Sequence, residues 1–234
     1  MAARVKRFWT TAEVVATDSG WGIALDGRAL KTPARSPLVV RQRALAEAIA
    51  AEWNQCGDHI DPALMPMTGL ANAAIDHVVP DPARFASDLA RYAEGDLLCY
   101  RAEMPPKLVA AQAASWDPLL EWARRRFGVE FALATGIVHV PQPPATVDRL
   151  RDAVAGLDPF RLVALSPIVT IGGSLVAALA LIERAFSVEM LWDAISLDER
   201  WQLEAWGADA EAAAALAGRH RDVLAAARFL DLLG

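Results

Sequence analysis

The amino-acid sequence predicts an α+β fold in which a small amino-terminal β-rich domain with one packed helix precedes an all-helical domain. Short apolar runs separated by turn signals fill residues 13–40, whereas helical periodicity dominates beyond Thr68. Because the strands are segregated from the helices and do not alternate with them, the pattern favours α+β over a doubly wound sheet. We place the domains at residues 1–64 and 65–234.

The predicted strands form a small antiparallel meander. Two turn signals separate the apolar runs, the Asp-Ser-Gly sequence at residues 18–20 and the Asp-Gly pair at 26–27. An amphipathic helix follows at residues 44–57, where apolar side chains recur every three or four positions. We expect Gly57 to end this helix as its cap.

The remaining helices are expected to break at proline and glycine. The positions are Pro80, Pro105-Pro106, Gly128, residues 141–144, residues 156–159, Pro167 and Gly207. The stretch from Leu162 to Ile182 carries no charge and is long enough to cross a bilayer. Polar and helix-breaking residues interrupt its middle, and its flanks lack a positive-inside bias. We therefore predict a buried core helix preceded by a turn, with a membrane span as the alternative. A peripheral membrane adaptor that uses this stretch is a further hypothesis for the function.

Composition and motifs exclude several classes of function. The chain carries 23 basic and 29 acidic side chains, a net charge of −6, which argues against nucleic acid as a partner. It contains no phosphate-binding, dinucleotide-binding, zinc-protease or acyl-transfer motif. The four histidines are each isolated from cysteine or carboxylate at catalytic spacing. We therefore expect no enzyme activity, no cofactor and no metal.

The eight tryptophans are the unusual feature of the composition. Tryptophan fills cores but is also enriched at binding hot spots. Within residues 197–211, Glu199, Gln202 and Trp206 lie three and four positions apart, so one helical face carries a carboxylate, an amide and an indole. Such a face is either a structural network, which the pattern alone favours, or a partner-binding stripe.

Seven motifs together resemble the assembly chaperones of the F-type ATP synthase that act on the alpha subunit of its catalytic head. They are KRFW at residues 6–9, LDGRALKTP at 25–33, AAEWNQ at 50–55, MPMTGLANAAID at 65–76, DLLCYR at 96–101, WDPLLEWA at 116–123 and DERWQLEAWG at 198–207. Their number and order make a chance match improbable. The resemblance implies an amino-terminal β-rich domain and a helical domain, in agreement with the split derived from the pattern.

The resemblance also implies a function without turnover. Members bind free alpha subunit and yield it to beta subunit, which requires an affinity lower than that of the final ring. An acidic residue needed for function corresponds to Glu199 or Glu204, with Glu211 as a weaker candidate. Trp53 corresponds to a tryptophan whose loss is damaging, although misfolding would explain that damage as well as lost binding.

We expect a monomer, located in the bacterial cytoplasm, or in the mitochondrial matrix if the source is eukaryotic. The direct start of the fold after a short basic segment favours the bacterial compartment. The rival hypothesis is a small-molecule enzyme with a pocket between the two domains, in which Glu199, Glu204 or Asp209 is a general base.

Overall fold

The computed structural model confirms the α+β fold. It describes residues 5–136, 138–207 and 210–234, without the side chain of Trp206. The strands found in these residues are β1 (Ala12–Thr17), β2 (Gly20–Leu25), β3 (Arg28–Ala29), β4 (Val39–Val40), β5 (Tyr100–Arg101) and β6 (Ala134–Thr135). The α-helices found there are α1 (Arg43–Gln55), α2 (Pro66–Ala73), α3 (Pro82–Ala90), α4 (Pro106–Phe127), α5 (Pro144–Ala155), α6 (Pro159–Gly172), α7 (Leu175–Ile182), α8 (Val188–Ile195), α9 (Leu197–Trp206) and α10 (Ala210–Leu233).

Strand β2 is the centre of the amino-terminal sheet. It pairs antiparallel with β1 and β3, as the predicted meander requires. It also pairs with β4, which a simple meander would place beside β3, so the sheet departs from the prediction at its last strand. Asp26 and Gly27 have φ angles of 45° and 79° and form the tight hairpin between β2 and β3. At Gly20, an added Cβ would lie 2.4 Å from the carbonyl oxygen of Val40, so only glycine allows β4 to approach.

Helix α1 packs on this sheet through fully buried side chains, among them Leu45 and Ile49. Burial of each contributes about 2 kcal/mol. The helix ends at Gln55, two residues before the predicted end at Gly57, and Cys56 is its cap. The difference has a long-range cause, because the guanidinium of Arg7 donates a 2.5 Å hydrogen bond to the Cys56 carbonyl oxygen. That carbonyl therefore has a partner without a further turn of helix.

Helix α2 begins beside the carboxylate of Glu52 in α1. This carboxylate accepts hydrogen bonds from the backbone amides of Met67 at 2.7 Å and Thr68 at 2.8 Å, and from the Thr68 hydroxyl at 2.7 Å. A carboxylate at a helix amino terminus satisfies free N–H groups and interacts favourably with the helix dipole. Glu52 therefore fixes where the chain leaves the predicted linker and becomes helical again.

The residues fall into two compact units. The first contains residues 1–82, 159–164 and 228–234, and the second contains residues 83–158 and 165–227. The first unit holds the amino-terminal sheet and α1, and the second holds most of the helices. The predicted division of the chain at residues 64 and 65 stays a prediction.

The stretch from Leu162 to Ile182 forms the end of one helix and the whole of the next. Helix α6 continues through Pro167, where a break was predicted, and ends at Gly172. Gly173 then takes a φ of 63°, and Ser174 begins α7 by accepting a hydrogen bond from the Ala177 amide. The side chains of α7 are almost all buried, as predicted for a core helix after a turn. None of the described helices is both long and apolar enough to span a bilayer.

Asp96 connects α7 to the segment before β5 and is completely buried. Its carboxylate accepts hydrogen bonds from the backbone amides of Val176 at 2.9 Å and Leu98 at 3.1 Å. Burial raises the pKa of Asp96 to about 6, although the hydrogen bonds from Val176, Ser174 and Leu98 act in the opposite direction. Asp96 is thus a buried helix cap whose protonation is linked to folding.

This linkage predicts a pH-dependent stability. An aspartate in the unfolded chain has a pKa of about 4, so between about pH 4 and 6 the Asp96 carboxyl is protonated in the native state and ionised in the unfolded state. The resulting stabilisation is fully present below about pH 4 and is lost as the pH rises through about 6. We expect the difference in unfolding free energy between wild type and Asp96→Asn to fall by about 3 kcal/mol over this range, measured by urea denaturation. A difference that does not change with pH would contradict the assignment.

Candidate partner-binding site

Helix α9 is positioned by hydrogen bonds from α4. The indole of Trp116 donates to the Ala194 carbonyl oxygen at 2.8 Å, which fixes the end of α8 immediately before α9. Gln112 is only 2% exposed, and its side chain makes two hydrogen bonds. Its Nε2 donates to Asp198 Oδ1 at 2.7 Å, and its Oε1 accepts from the Ala102 amide at 2.8 Å. Gln112 therefore ties the first turn of α9 to the segment that follows β5.

Glu199 and Gln202, two residues of the predicted polar face of α9, lie in different environments. Glu199 is about one-third exposed and forms an ion pair with Arg219 of α10. Gln202 is exposed and lies at a groove, on the side of the helix that also carries Asp198. Glu199 therefore belongs to a partly buried ion pair, whereas Gln202 is accessible to a partner.

The other predicted acidic residues are accessible. Glu204 and Glu211 are both exposed, and neither has a hydrogen bond or ion pair to any residue that the structure describes. The backbone of Trp206 ends α9, but its side chain lies outside the described residues, as does Asp209. Neither Glu204 nor Glu211 therefore has a polar contact among the described residues that would give it a structural role.

The groove beside Gln202, here named the α9 groove, is open to solvent and has a volume of about 400 Å³. It lies entirely in the second unit. Its apolar lining consists of Ala102, Met104, Pro105, Leu108, Trp201 and Ala205. Its other lining residues are Tyr100, Arg101, Gln112, Gly136, Asp198 and Gln202. Positions 198, 201, 202 and 205 are three or four residues apart and therefore lie on one side of α9, which forms one wall of the groove.

Trp53 belongs to the first unit, whereas the acidic residues of α9 and α10 belong to the second. Its ring lies 4.9 Å from that of Trp9 in an edge-on arrangement, and the Trp9 indole donates to the Trp53 carbonyl oxygen at 3.2 Å. The Trp53 Nε1 atom is buried and has no hydrogen-bond partner among the described residues. These contacts place Trp53 in the packing between the amino-terminal segment and α1.

A family model described as ATP12 chaperone protein matches residues 6–124. The crystal structure of Atp12 from Paracoccus denitrificans is 41% identical, with a TM-score of 0.92, and the match covers 97% of this chain and 98% of that one. The chain belongs to the ATP12 chaperone family. It is therefore a chaperone of ATP synthase assembly, and the resemblance seen in the motifs is confirmed.

Two further proteins that are similar to this chain support its placement in the ATP12 family. The Atu1473 protein of Agrobacterium tumefaciens is 38% identical with a TM-score of 0.92, over 98% of this chain and 86% of that one. The mitochondrial protein atp12 of Schizosaccharomyces pombe is 26% identical over 214 residues, which are 86% of this chain and 74% of the relative. The family thus includes both bacterial and mitochondrial proteins.

Sequence reasoning located α9 but not the groove beside it. Met104 and Leu108 precede or begin α4, far from α9 in the chain, and no local periodicity connects them. The available signal was the position of Gln112, a polar side chain one helical turn before Trp116 on the apolar face of α4. A buried amide must find partners, so a glutamine on this apolar face is a signal that another element crosses it.

Substitution of Trp53 tests whether its role is structural. Trp53→Arg would leave a cation in a mostly apolar contact with Trp9, so we expect a loss of unfolding free energy of about 2 kcal/mol or more. Trp53→Phe keeps a ring and removes the unpaired N–H, so its loss should be less than half as large. Leu64→Arg is the matched control, because Leu64 is 75% exposed in the same unit and should tolerate the same charge. Urea denaturation of the three variants would decide, and a Trp53→Arg variant of wild-type stability would count against this role.

Proposed function

We propose that this ATP12-family chaperone binds the free alpha subunit of the F-type ATP synthase head and shields its subunit interface until beta subunit replaces it. The observation that carries the proposal is the accessible polar set on α9 and α10. Gln202, Glu204 and Glu211 are exposed, and none of them has a hydrogen-bond or ion-pair partner among the described residues. Polar groups without an internal role on a helix next to an open apolar groove suit the binding of another protein.

Free alpha subunit presents a physical problem that such a surface can solve. A subunit that will become part of a ring exposes a large interface before assembly, and exposed apolar surface of that size promotes aggregation. A chaperone must cover this surface and still be displaced by beta subunit. An open groove with a polar rim suits this requirement better than a deep apolar pocket, because the contacts are individually weak.

We further propose that the protein acts without catalytic turnover. A general base must reach a bound substrate in a site from which water can be excluded. Glu204 is instead exposed on the outer surface of α9, and Glu199 is paired with Arg219. These surroundings favour a binding surface over the rival enzyme hypothesis.

The proposal includes the setting in which the chaperone acts. We propose a monomer that binds neither nucleic acid nor membrane, and its net charge of −6 is unfavourable for contact with a polyanion. The compartment is the cytoplasm if the source is bacterial and the mitochondrial matrix if it is eukaryotic. The mitochondrial relative from S. pombe and the relative from P. denitrificans support these two settings.

The first test is a pull-down with this protein as bait and with purified alpha and beta subunits presented separately. We expect alpha subunit alone to be retained and then released when beta subunit is added, because the ring interface is the tighter complex. Size-exclusion chromatography of the bait should show a monomer. Retention of neither subunit would contradict the proposal.

Three variants identify the acidic residue that matters. Glu204→Ala and Glu211→Ala remove exposed carboxylates, so the free energy of unfolding should change by less than about 0.5 kcal/mol. If one of these carboxylates is a binding hot spot, its replacement by alanine should weaken alpha-subunit binding by about 2 kcal/mol or more, measured by calorimetry. Glu199→Ala should also lower stability, because it leaves Arg219 without its partner.

The matched control is Glu189→Ala, which removes an exposed carboxylate from α8 in the same unit. We expect it to leave binding unchanged and to lower the free energy of unfolding by less than about 0.5 kcal/mol, because Glu189 lies in the first turn of α8. If all four variants bind alpha subunit like the wild type, the acidic residues are not part of the interface.

A further inference from the structure

The α9 groove exposes apolar side chains that its own unit does not cover. The Met104 side chain is 69% exposed, and Leu108 and Trp201 are partly accessible beside it. A volume of about 400 Å³ has room for one or two large side chains of a partner. Its open form suits an extended segment, because such a segment can enter and leave along the groove.

The two charged residues of the groove lining, Arg101 and Asp198, have different surroundings. Arg101 is the only described lysine or arginine in its lining, and Asp117 neutralises it at 2.7 Å. Asp198 contacts only a neutral amide, that of Gln112, among the described residues. The Glu103 carboxylate stands at the rim, where its Oε1 would be 2.7 Å from a Cβ added to Gly136. The lining therefore offers one carboxylate without a cationic partner among the described residues, that of Asp198, next to its apolar side chains.

Gln202 adds a polar group to the same wall. Its exposed amide lies one helical turn after Asp198 and offers both a donor and an acceptor. A peptide backbone has the same two groups, so Gln202 can hydrogen-bond to an extended segment regardless of its sequence. The side-chain preference is then set by the apolar lining and by the two carboxylates.

We propose that the α9 groove binds an extended segment of the free alpha subunit in which a large apolar side chain stands next to a lysine or arginine. The apolar side chain packs against Met104 and Trp201, and the cation lies near Asp198 and Glu103. This inference rests on the proposed function, since it takes alpha subunit as the client. It adds the place of contact and the chemistry of the recognised segment.

Variants at the groove give the first test. Met104→Lys puts a charged side chain into the apolar lining and should weaken binding of alpha subunit about thirtyfold, measured by calorimetry. Met190→Lys is its control, because Met190 is 56% exposed on α8 and does not line the groove. It should change binding by less than about twofold. Thermal denaturation should show that both variants fold like the wild type.

A charge variant separates the two parts of the recognition. Asp198→Asn keeps an oxygen that can accept from Gln112 but removes the charge, and should weaken binding about tenfold at low salt. Glu189→Gln, on α8, should leave binding unchanged. If wild type and all four variants bind alpha subunit equally, the groove is not the contact, although the proposed function stands. If the wild type itself fails to bind alpha subunit, both the proposed function and this inference fall.

A peptide scan tests the chemistry of the segment. Overlapping 12-residue peptides that cover the alpha subunit sequence would be probed with wild type and with Met104→Lys. We expect the peptides that bind only the wild type to combine a large apolar residue with an adjacent lysine or arginine. Replacement of that cation by glutamate should abolish binding. Selection of acidic peptides, or of peptides without a basic residue, would overturn the inference.

Discussion

The candidate surface depends on one buried side chain, Gln112. Its amide contacts the Ala102 backbone on one side and the Asp198 carboxylate on the other, and so joins the two walls of the α9 groove. An amide buried to this extent is costly unless it has its hydrogen bonds, so the geometry of both walls is specified together. Trp116, one turn further along α4, fixes the end of α8, the helix before α9, by donating a hydrogen bond to the Ala194 carbonyl oxygen. Helix α4 is therefore the frame on which the surface is built.

The same frame explains why acidic residues of one helix have different roles. Asp198 is the first-turn residue that faces α4, so its charge is presented inside the groove. Glu199, one position later, points to α10 and pairs with Arg219. Glu204 lies on the remaining surface and is accessible to solvent. A rotation of about 100° per residue is enough to distribute neighbouring carboxylates among a groove, an ion pair and a free surface.

Local patterns predicted the elements well but not the contacts between distant parts of the chain. The meander and α1 follow from turn residues and apolar spacing, which act over a few positions. The early end of α1 depends on Arg7, and the start of α2 depends on Glu52, neither of which a local pattern includes. The two-residue strands β5 and β6 are too short to give a periodicity. For the site, the sequence predicted the helix and its polar face, whereas the groove needed residues brought together from β5, α4 and α9.

Trp53 illustrates how a substitution can damage a chaperone through its packing. In an α-helix the last carbonyl groups lack helical partners, and here they are served by the amino-terminal segment. The Trp9 indole donates to the Trp53 carbonyl oxygen, and Arg7 donates to those of Asn54 and Cys56. The two indole rings pack over this junction. A change at Trp53 therefore disturbs the end of α1 and the segment that caps it, so a loss of function there does not by itself identify an interface. The acidic residues differ, since Glu204 and Glu211 have no comparable contact in the part of the chain that the structure describes.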